Sequence, residues 1–493
     1  MVLKYLCHTQ INMILKYSVK RGYVSILNNY YKTIQNHENT HRKMTTGLDT
    51  YLNTESAIES CILSNGIRLV CESKSSYTTT LGCYFPAGSM HEMPEERGSA
   101  LFLEHLLFRR TMHKSEEELT KAVEEIGAKI TTVASRDMFL FYGTVPSNKT
   151  IKLIDLFADV TMNNVICDQD ITREKCIILH ELSKMELDKE RVVMDYLPTI
   201  AYQDTDLASS IYPETDIIKT FCKGRLTEFQ SRLFKPCFMT IVSVGPICLQ
   251  ELERIVCRSF MCEKGDCNTI QSFCTEIEYR FSGAELRFRD DDDELGYVAI
   301  GIEGPSSKQC ADNYALAVAK EIVGYWDRKC SGAQHNAPYI AHCAYNTDLC
   351  HMYKSFFQNW AQSTSIWGCY FVCNKLSLMT MTKVLQKEWM RLCTTVTQKE
   401  VLRAVNQCKT KELLLLNDPV IHFLDIVKTL LRHGHYIPIH ERIIEYEKIT
   451  ADKLREVSIK YIYNQNPAVI ALGRTENLPD YCNIRNGMYL LRY

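Results

Sequence analysis

The sequence predicts an α+β protein built as two related halves, and three observations carry that reading. At 493 residues the chain exceeds the roughly 250 to 300 residues at which a single core stops growing. A succession of strand, turn and helix occurs twice along it. In each copy, short alternating apolar stretches closed by Gly, Pro and Ser precede two apolar-periodic helices, the layout of a mixed sheet of five or six strands covered by helices.

The first copy opens at Ser64-Asn65-Gly66-Ile67-Arg68-Leu69-Val70, a turn running into a strand, and continues into Leu81-Gly82-Cys83-Tyr84-Phe85-Pro86-Ala87-Gly88-Ser89. The second opens at Phe281-Ser282-Gly283-Ala284-Glu285-Leu286-Arg287-Phe288 and continues into Tyr297-Val298-Ala299-Ile300-Gly301-Ile302-Glu303-Gly304-Pro305. Ser147-Asn148-Lys149-Thr150 then starts a helix whose apolar face is Leu153, Ile154, Phe157 and Val160, as Asn374-Lys375-Leu376-Ser377 does before Met379, Val384 and Leu385. A further helix follows in each copy, with Thr172 before Glu174 and Thr397 before Glu400 read as N-terminal caps. Met239 to Val244 and Ala468 to Leu472 are the closing strands, each ending at a glycine. The domains are therefore placed at 55–262 and 282–493, with a polar linker over 263–281.

Composition narrows the class. With 46% hydrophobic and 24% charged residues the chain sits with folded globular proteins and away from disordered or filamentous ones. No run approaches the roughly 18 to 20 apolar residues of a membrane span. Its 22 cysteines are scattered without a C-x-x-C pair, which argues for reduced thiols rather than a secreted disulfide scaffold. The acidic run Asp290 to Glu294 lacks the glycine and spaced ligands of a calcium loop and reads as a solvated turn. Nothing points to nucleic acid.

The net charge of −2 hides an asymmetry. Residues 1–45 hold seven basic residues and one acidic one, Glu38, so that segment is +6 and the remainder −8. Ile11, Ile14, Leu15 and Val19 share one helix face while Lys16 and Lys20 lie away from it, the amphipathic, acid-poor character of a mitochondrial presequence.

The chemistry-bearing segment is Leu101-Phe102-Leu103-Glu104-His105, at the start of an apolar-periodic helix after Gly98-Ser99. An inverted zinc-peptidase motif reads H-x-x-E-H, in which histidines one helical turn apart grip the metal and the glutamate activates the bound water. Here Glu104 and His105 are in place and the first histidine is Leu101. Glu181 lies 76 residues beyond His105, with Glu174 two turns before it.

At this point the chain resembles the pitrilysin (inverted zincin) family. The resemblance implies that His105 and Glu181 stand at zinc-ligand positions, Glu104 at that of the general base, and Glu174 behind the ligands. Within the family it is nearest the branch of mitochondrial processing peptidase β subunits and core 1 proteins of respiratory complex III. Segments that carry this include Leu63-Ser64-Asn65-Gly66, Phe102-Leu103-Glu104-His105, Ala134-Ser135-Arg136-Asp137, Trp326-Asp327-Arg328, Trp367-Gly368 and the tail Asn477-Leu478-Pro479-Asp480-Tyr481. The implied fold is two pitrilysin-like domains forming a clamshell around a central cavity, with the Glu104 and His105 helix facing it.

Leu101 is the departure that bears on function. A catalytic zinc keeps three protein ligands and one open position for water, and without the metal Glu104 has no acidified water to deprotonate. His180 adjoins Glu181, but neighbours on a helix point about 100° apart. The stretch Asn359-Trp360-Ala361-Gln362 also differs from the substrate-contacting stretch of the peptidase-competent members. Three functions follow as expectations. The first is a core subunit 1-like protein of ubiquinol-cytochrome c reductase, with weak or absent zinc and no cleavage, on the matrix side of the inner membrane beside an α-type paralogue and other complex III subunits. The second is the β subunit of a processing peptidase acting on presequence peptides. The third is a non-catalytic peptide-binding assembly factor.

Overall fold

The structure, a computed structural model, describes residues 58–260, 279–329, 338–360 and 363–489. The expected presequence, nearly all of the expected linker, and Ala361-Gln362 lie outside these residues. Among the described residues no helix is long and apolar enough to cross a membrane, and the cysteines are free thiols.

The first half contains β1 (Ile58–Ile62), β2 (Arg68–Ser73), β3 (Thr78–Phe85), α1 (Ser99–Leu106), α2 (Glu116–Ile126), β4 (Lys129–Ala134), β5 (Phe139–Pro146), α3 (Thr150–Met162), α4 (Asp168–Leu187), α5 (Lys189–Ala201), α6 (Thr215–Thr220), α7 (Lys223–Leu233), β6 (Thr240–Gly245) and α8 (Leu249–Ser259). The second contains β7 (Glu285–Arg289), β8 (Leu295–Gly304), α9 (Cys310–Val323), β9 (Tyr325–Asp327), α10 (Tyr339–Thr347), β10 (Met352–Trp360), β11 (Thr364–Asn374), α11 (Leu378–Thr394), α12 (Gln398–Leu414), α13 (Pro419–His433), α14 (Ile439–Glu447), α15 (Ala451–Tyr461), β12 (Ala468–Gly473) and α16 (Tyr481–Gly487).

The duplication is visible in the strand order. The first sheet runs β1-β2-β6-β3-β5-β4 and the second β7-β12-β8-β11-β10-β9, so β2-β6-β3-β5 superposes in order on β7-β12-β8-β11. Each has a single parallel pair, β2 with β6 and β12 with β7, and it falls at the same place. The remaining pairs are antiparallel. This is the two-half α+β architecture that the sequence predicts.

Period-two alternation sends each strand's side chains to two different cores. In the first sheet Leu69, Cys71, Leu81, Cys83, Phe139, Phe141 and Ile241 join the helices of their own half. The intervening Val70, Tyr84, Leu140, Val242 and Val244 pack instead against Phe423, Ile426, Val427 and Leu430 of α13, a helix of the second half. The second sheet does the reverse. Val298, Ile300, Trp367, Cys369 and Val469 face their own helices, while Ala299, Ile366, Tyr370, Ala468 and Ile470 receive Val193, Leu197 and Ile200 of α5, a helix of the first half. The two halves thus each close the other's sheet.

A glycine of the first sheet makes room for this exchange, and one of the second makes room for the strand beside it. A Cβ on Gly82 of β3 would lie 2.6 Å from the ring tip of Phe423, and one on Gly301 of β8 would lie 3.4 Å from Leu197 and 2.6 Å from Ile366. At Gly82 only a residue without a side chain permits the guest helix to approach so closely, whereas at Gly301 the close neighbour is Ile366 of the adjoining strand.

The caps differ from expectation in one half. Thr397 is the N-cap of α12, its hydroxyl accepting from the Glu400 amide while Glu400 reaches back to the Thr397 amide. Thr172 is not a cap: α4 begins earlier, at Asp168, and the Thr172 hydroxyl donates to the Asp168 carbonyl at 2.8 Å. Asp168 and Asp170 in the first turn explain the earlier start, since their charge offsets the positive helix end.

Candidate metal centre

Helix α1 is short and positioned from its N-terminus. Gly98 precedes it in the left-handed conformation, φ 89°, where glycine carries no steric penalty. The Glu92 carboxylate then accepts from the amides of Gly98 at 2.8 Å and Ala100 at 2.7 Å, filling orphan donors of the first turn. Burial pushes the Glu92 carboxyl up to about 7, those two amides opposing the shift and neighbouring Glu96 adding to it. Ser99, Ala100, Phe102, Leu103 and Leu106 are buried, which seats α1 in the first-half core.

The residues singled out by sequence do come together. His105 Nε2 lies 3.2 Å from Glu181 Oε2 and its Nδ1 lies 3.3 Å from Glu174 Oε2. His105 is 16% exposed, Glu174 is 1% exposed and Glu181 is 52% exposed. The imidazole is therefore held between two carboxylates of α4 that sit seven residues, about two turns, apart on one face. The Glu174 contact has ion-pair length without hydrogen-bond alignment, and that buried oxygen has no hydrogen-bond donor. Its other oxygen is taken by Arg109, which also bonds Glu116.

Glu104 points toward the sheet. One of its oxygens accepts from the Ala134 amide at the end of β4, at 3.0 Å. Burial raises its carboxyl above the usual carboxylate range, while the Ala134 amide and His105 oppose the shift. Arg191, near the start of α5, also contributes to the field at Glu104; its guanidinium lies 5.0 Å from the Tyr212 ring.

Leu101, one turn before His105, is 6% exposed and belongs to the first-half core. Two donors on one tetrahedral zinc, each at about 2.0 to 2.2 Å, stand a little over 3 Å apart, and His105 and Glu181 already have that spacing. The third vertex is hydrocarbon. Among the described residues no three His, Cys, Asp or Glu side chains group as a metal site, and His180, on an exposed part of α4, does not supply the missing donor. His105 and Glu181 supply two donors at zinc-ligand spacing, and with a leucine at position 101 the residues present do not fit a three-ligand catalytic zinc site.

Sequence reasoning missed Arg109 and Arg191. Arg109 lies one turn past His105, where a basic residue facing a buried acid was a usable signal; Arg191 had none, because its place beside Glu104 depends on how α5 crosses the first half. In the second half, the helices that occupy the positions of α1 and α4 are also fastened by charge. Lys411 of α12 reaches Glu321 of α9 at 2.6 Å.

Comparison with known proteins agrees with this layout. Residues 68–215 match the Insulinase (Peptidase family M16) profile, and residues 221–408 match the Peptidase M16 inactive domain. The chain is 33% identical to the human mitochondrial-processing peptidase subunit beta over 462 residues, 92% of each chain. It is 34% identical to the bovine cytochrome b-c1 complex subunit 1, mitochondrial, over 431 residues, 87% of this chain and 89% of the relative. A chain of the Candida albicans complex III2 structure superposes with a TM-score of 0.78 at 21% identity, covering 88% of this chain and all of that one, which shows the shared fold. With duplicated sheets, both halves matched and relatives spanning nearly its whole length, the chain belongs to the M16 peptidase family, alongside processing peptidase β subunits and cytochrome b-c1 complex subunits 1.

Proposed function

We propose that this chain is a mitochondrial, non-catalytic subunit of the core 1 type, built into an assembly resembling respiratory complex III. The observation that carries the reading is Leu101, a buried leucine at the first ligand position of an otherwise assembled site. Loss of one ligand from three lowers metal affinity severely and leaves no acidified water for Glu104. The relatives support the mitochondrial location and the choice between two roles, subunit of the b-c1 complex or of the processing peptidase, at nearly equal identity. On this reading the protein sits on the matrix side of the inner membrane beside an α-type paralogue and other complex III subunits.

A processing peptidase β subunit acting on presequence peptides is the second reading. It is favoured by the retained His105, Glu104 and Glu181 geometry. The test is zinc content and presequence cleavage of the purified chain with its α-type partner, run beside Leu101→His. A metal-free, inactive natural protein with a zinc-binding variant supports the structural role. Stoichiometric zinc and cleavage in the natural protein overturn it.

A further inference from the structure

Helix α11 carries an exposed stripe that the core of its own half does not use. Its buried side is Leu378, Met381, Thr382, Leu385, Gln386, Glu388, Trp389 and Met390. On the opposite side Leu376, in the turn leading into the helix, is 75% exposed and Met379 is 44% exposed, and Lys383 and Lys387 are exposed as well. At 100° per residue these four fall within an arc of about 80°, and they extend about 16 Å along the axis. The helix's one acid, Glu388, is buried and paired with Arg391 at 2.7 Å, so no carboxylate of α11 opposes the lysines. Lys375 adds a third exposed cation ahead of the helix. Asp291, whose field reaches Lys375, is itself bonded to Arg289 at 2.8 Å. The helix at the same place in the first half is different, because Asp155 on its exposed face is engaged by Arg258 and Ser259.

We propose that this face of α11 docks on an anionic lipid surface. The cations of the face are lysines, compact charges on flexible stems, rather than guanidinium forks matched to particular carboxylates. Leucine and methionine lie between them, where apolar side chains enter the headgroup boundary while lysine stems stretch toward phosphates. Each lysine near an anionic leaflet strengthens binding about fivefold, an effect screened by salt.

The test is co-sedimentation of the full chain with phosphatidylcholine vesicles, with and without phosphatidylserine, at low and high salt. Binding only to the phosphatidylserine vesicles, weakened by salt, is the expected result. A Lys383→Glu, Lys387→Glu variant should bind at least about thirtyfold more weakly, the loss of two such contributions alone giving that factor and the two new carboxylates adding repulsion. Leu376→Ser with Met379→Ser should weaken it separately; circular dichroism checks that each variant keeps its fold. No sedimentation of the natural chain, or equal sedimentation of the charge-reversed variant, overturns the proposal. So does capture of the stripe by a protein, read as protection of Lys383 and Lys387 from chemical acetylation by the α-type partner with no vesicle binding.

Discussion

His105 and Glu181, 76 residues apart in sequence, meet with Nε2 and Oε2 3.2 Å apart, the separation of two ligands on one zinc ion. The pair persists although the residue one turn before His105 is a buried leucine. Glu174 and Arg109 hold it from behind, so the arrangement stands without a third ligand.

Restoring the third ligand should therefore restore metal linkage to stability. Leu101→His is expected to raise its melting temperature on zinc addition and lose the gain on chelation, with about 2.7 kcal/mol of added stability at a hundredfold excess over Kd. The natural protein should melt at the same temperature in zinc and in chelator. Scanning calorimetry of both proteins checks this, and a zinc-dependent shift in the natural chain counts against the degenerate site.

Glu174 is a structural carboxylate. Removing it in Glu174→Ala leaves the Arg109 guanidinium with only Glu116 and takes away the acid behind His105. A cost of about 2 to 4 kcal/mol is expected, in line with breaking a largely buried charge pair. Urea unfolding gives the value, and a change under about 0.5 kcal/mol, the scale of an ordinary surface substitution, would show that Glu174 does not fasten α1 to α4.

Glu92 makes stability pH-dependent. Its carboxyl is raised to about 7 in the folded protein, so the fold holds that proton more tightly than the unfolded chain does. The sign follows: its contribution is fully present below the ordinary glutamate value and is lost as pH rises through about 7. Glu92→Gln, which stays neutral, should gain on the natural protein by on the order of 3 kcal/mol between acidic and alkaline conditions. Denaturant midpoints at pH 5 and pH 8 decide it; a constant difference between the proteins would remove Glu92 as the source.

The exchanged helix α13 should be a main fastening between the halves. Phe423→Ala empties a site against Val70, Tyr84 and Leu140 and is expected to cost about 3 to 5 kcal/mol. Gly82→Ala places a methyl group 2.6 Å from both Phe423 and Tyr142 and should cost about 1 to 3 kcal/mol by overpacking. Thermal unfolding of each variant measures these, and a neutral Gly82→Ala would mean that α13 shifts freely on the sheet.

Much of this was legible in the sequence because it rests on local periodicity. The two copies of strand, turn and helix, the α1 position of Glu104 and His105, and the Thr397 cap follow from neighbours a few residues apart. The spacing of Glu174 and Glu181 put both on one face of α4, and the family resemblance joined that face to His105. Alternation along β3 and β8 announces strands with two apolar faces, but it does not name the partner for each face. That α13 closes the first sheet and α5 the second is a contact between segments from about a hundred to more than three hundred residues apart. So is the hydrogen bond between buried His422 and Glu72, at 2.6 Å. The glycine at 82 acquires its meaning only from the α13 contact, since nothing local explains why a side chain is excluded. Arg109 reaches Glu174, and Arg191 adds to the field at Glu104, for the same reason: charges act through space, where the packed helices have brought them. Local periodicity reveals the two halves and the leucine one turn before His105, whereas long-range packing settles which half closes which sheet and which charges surround the site.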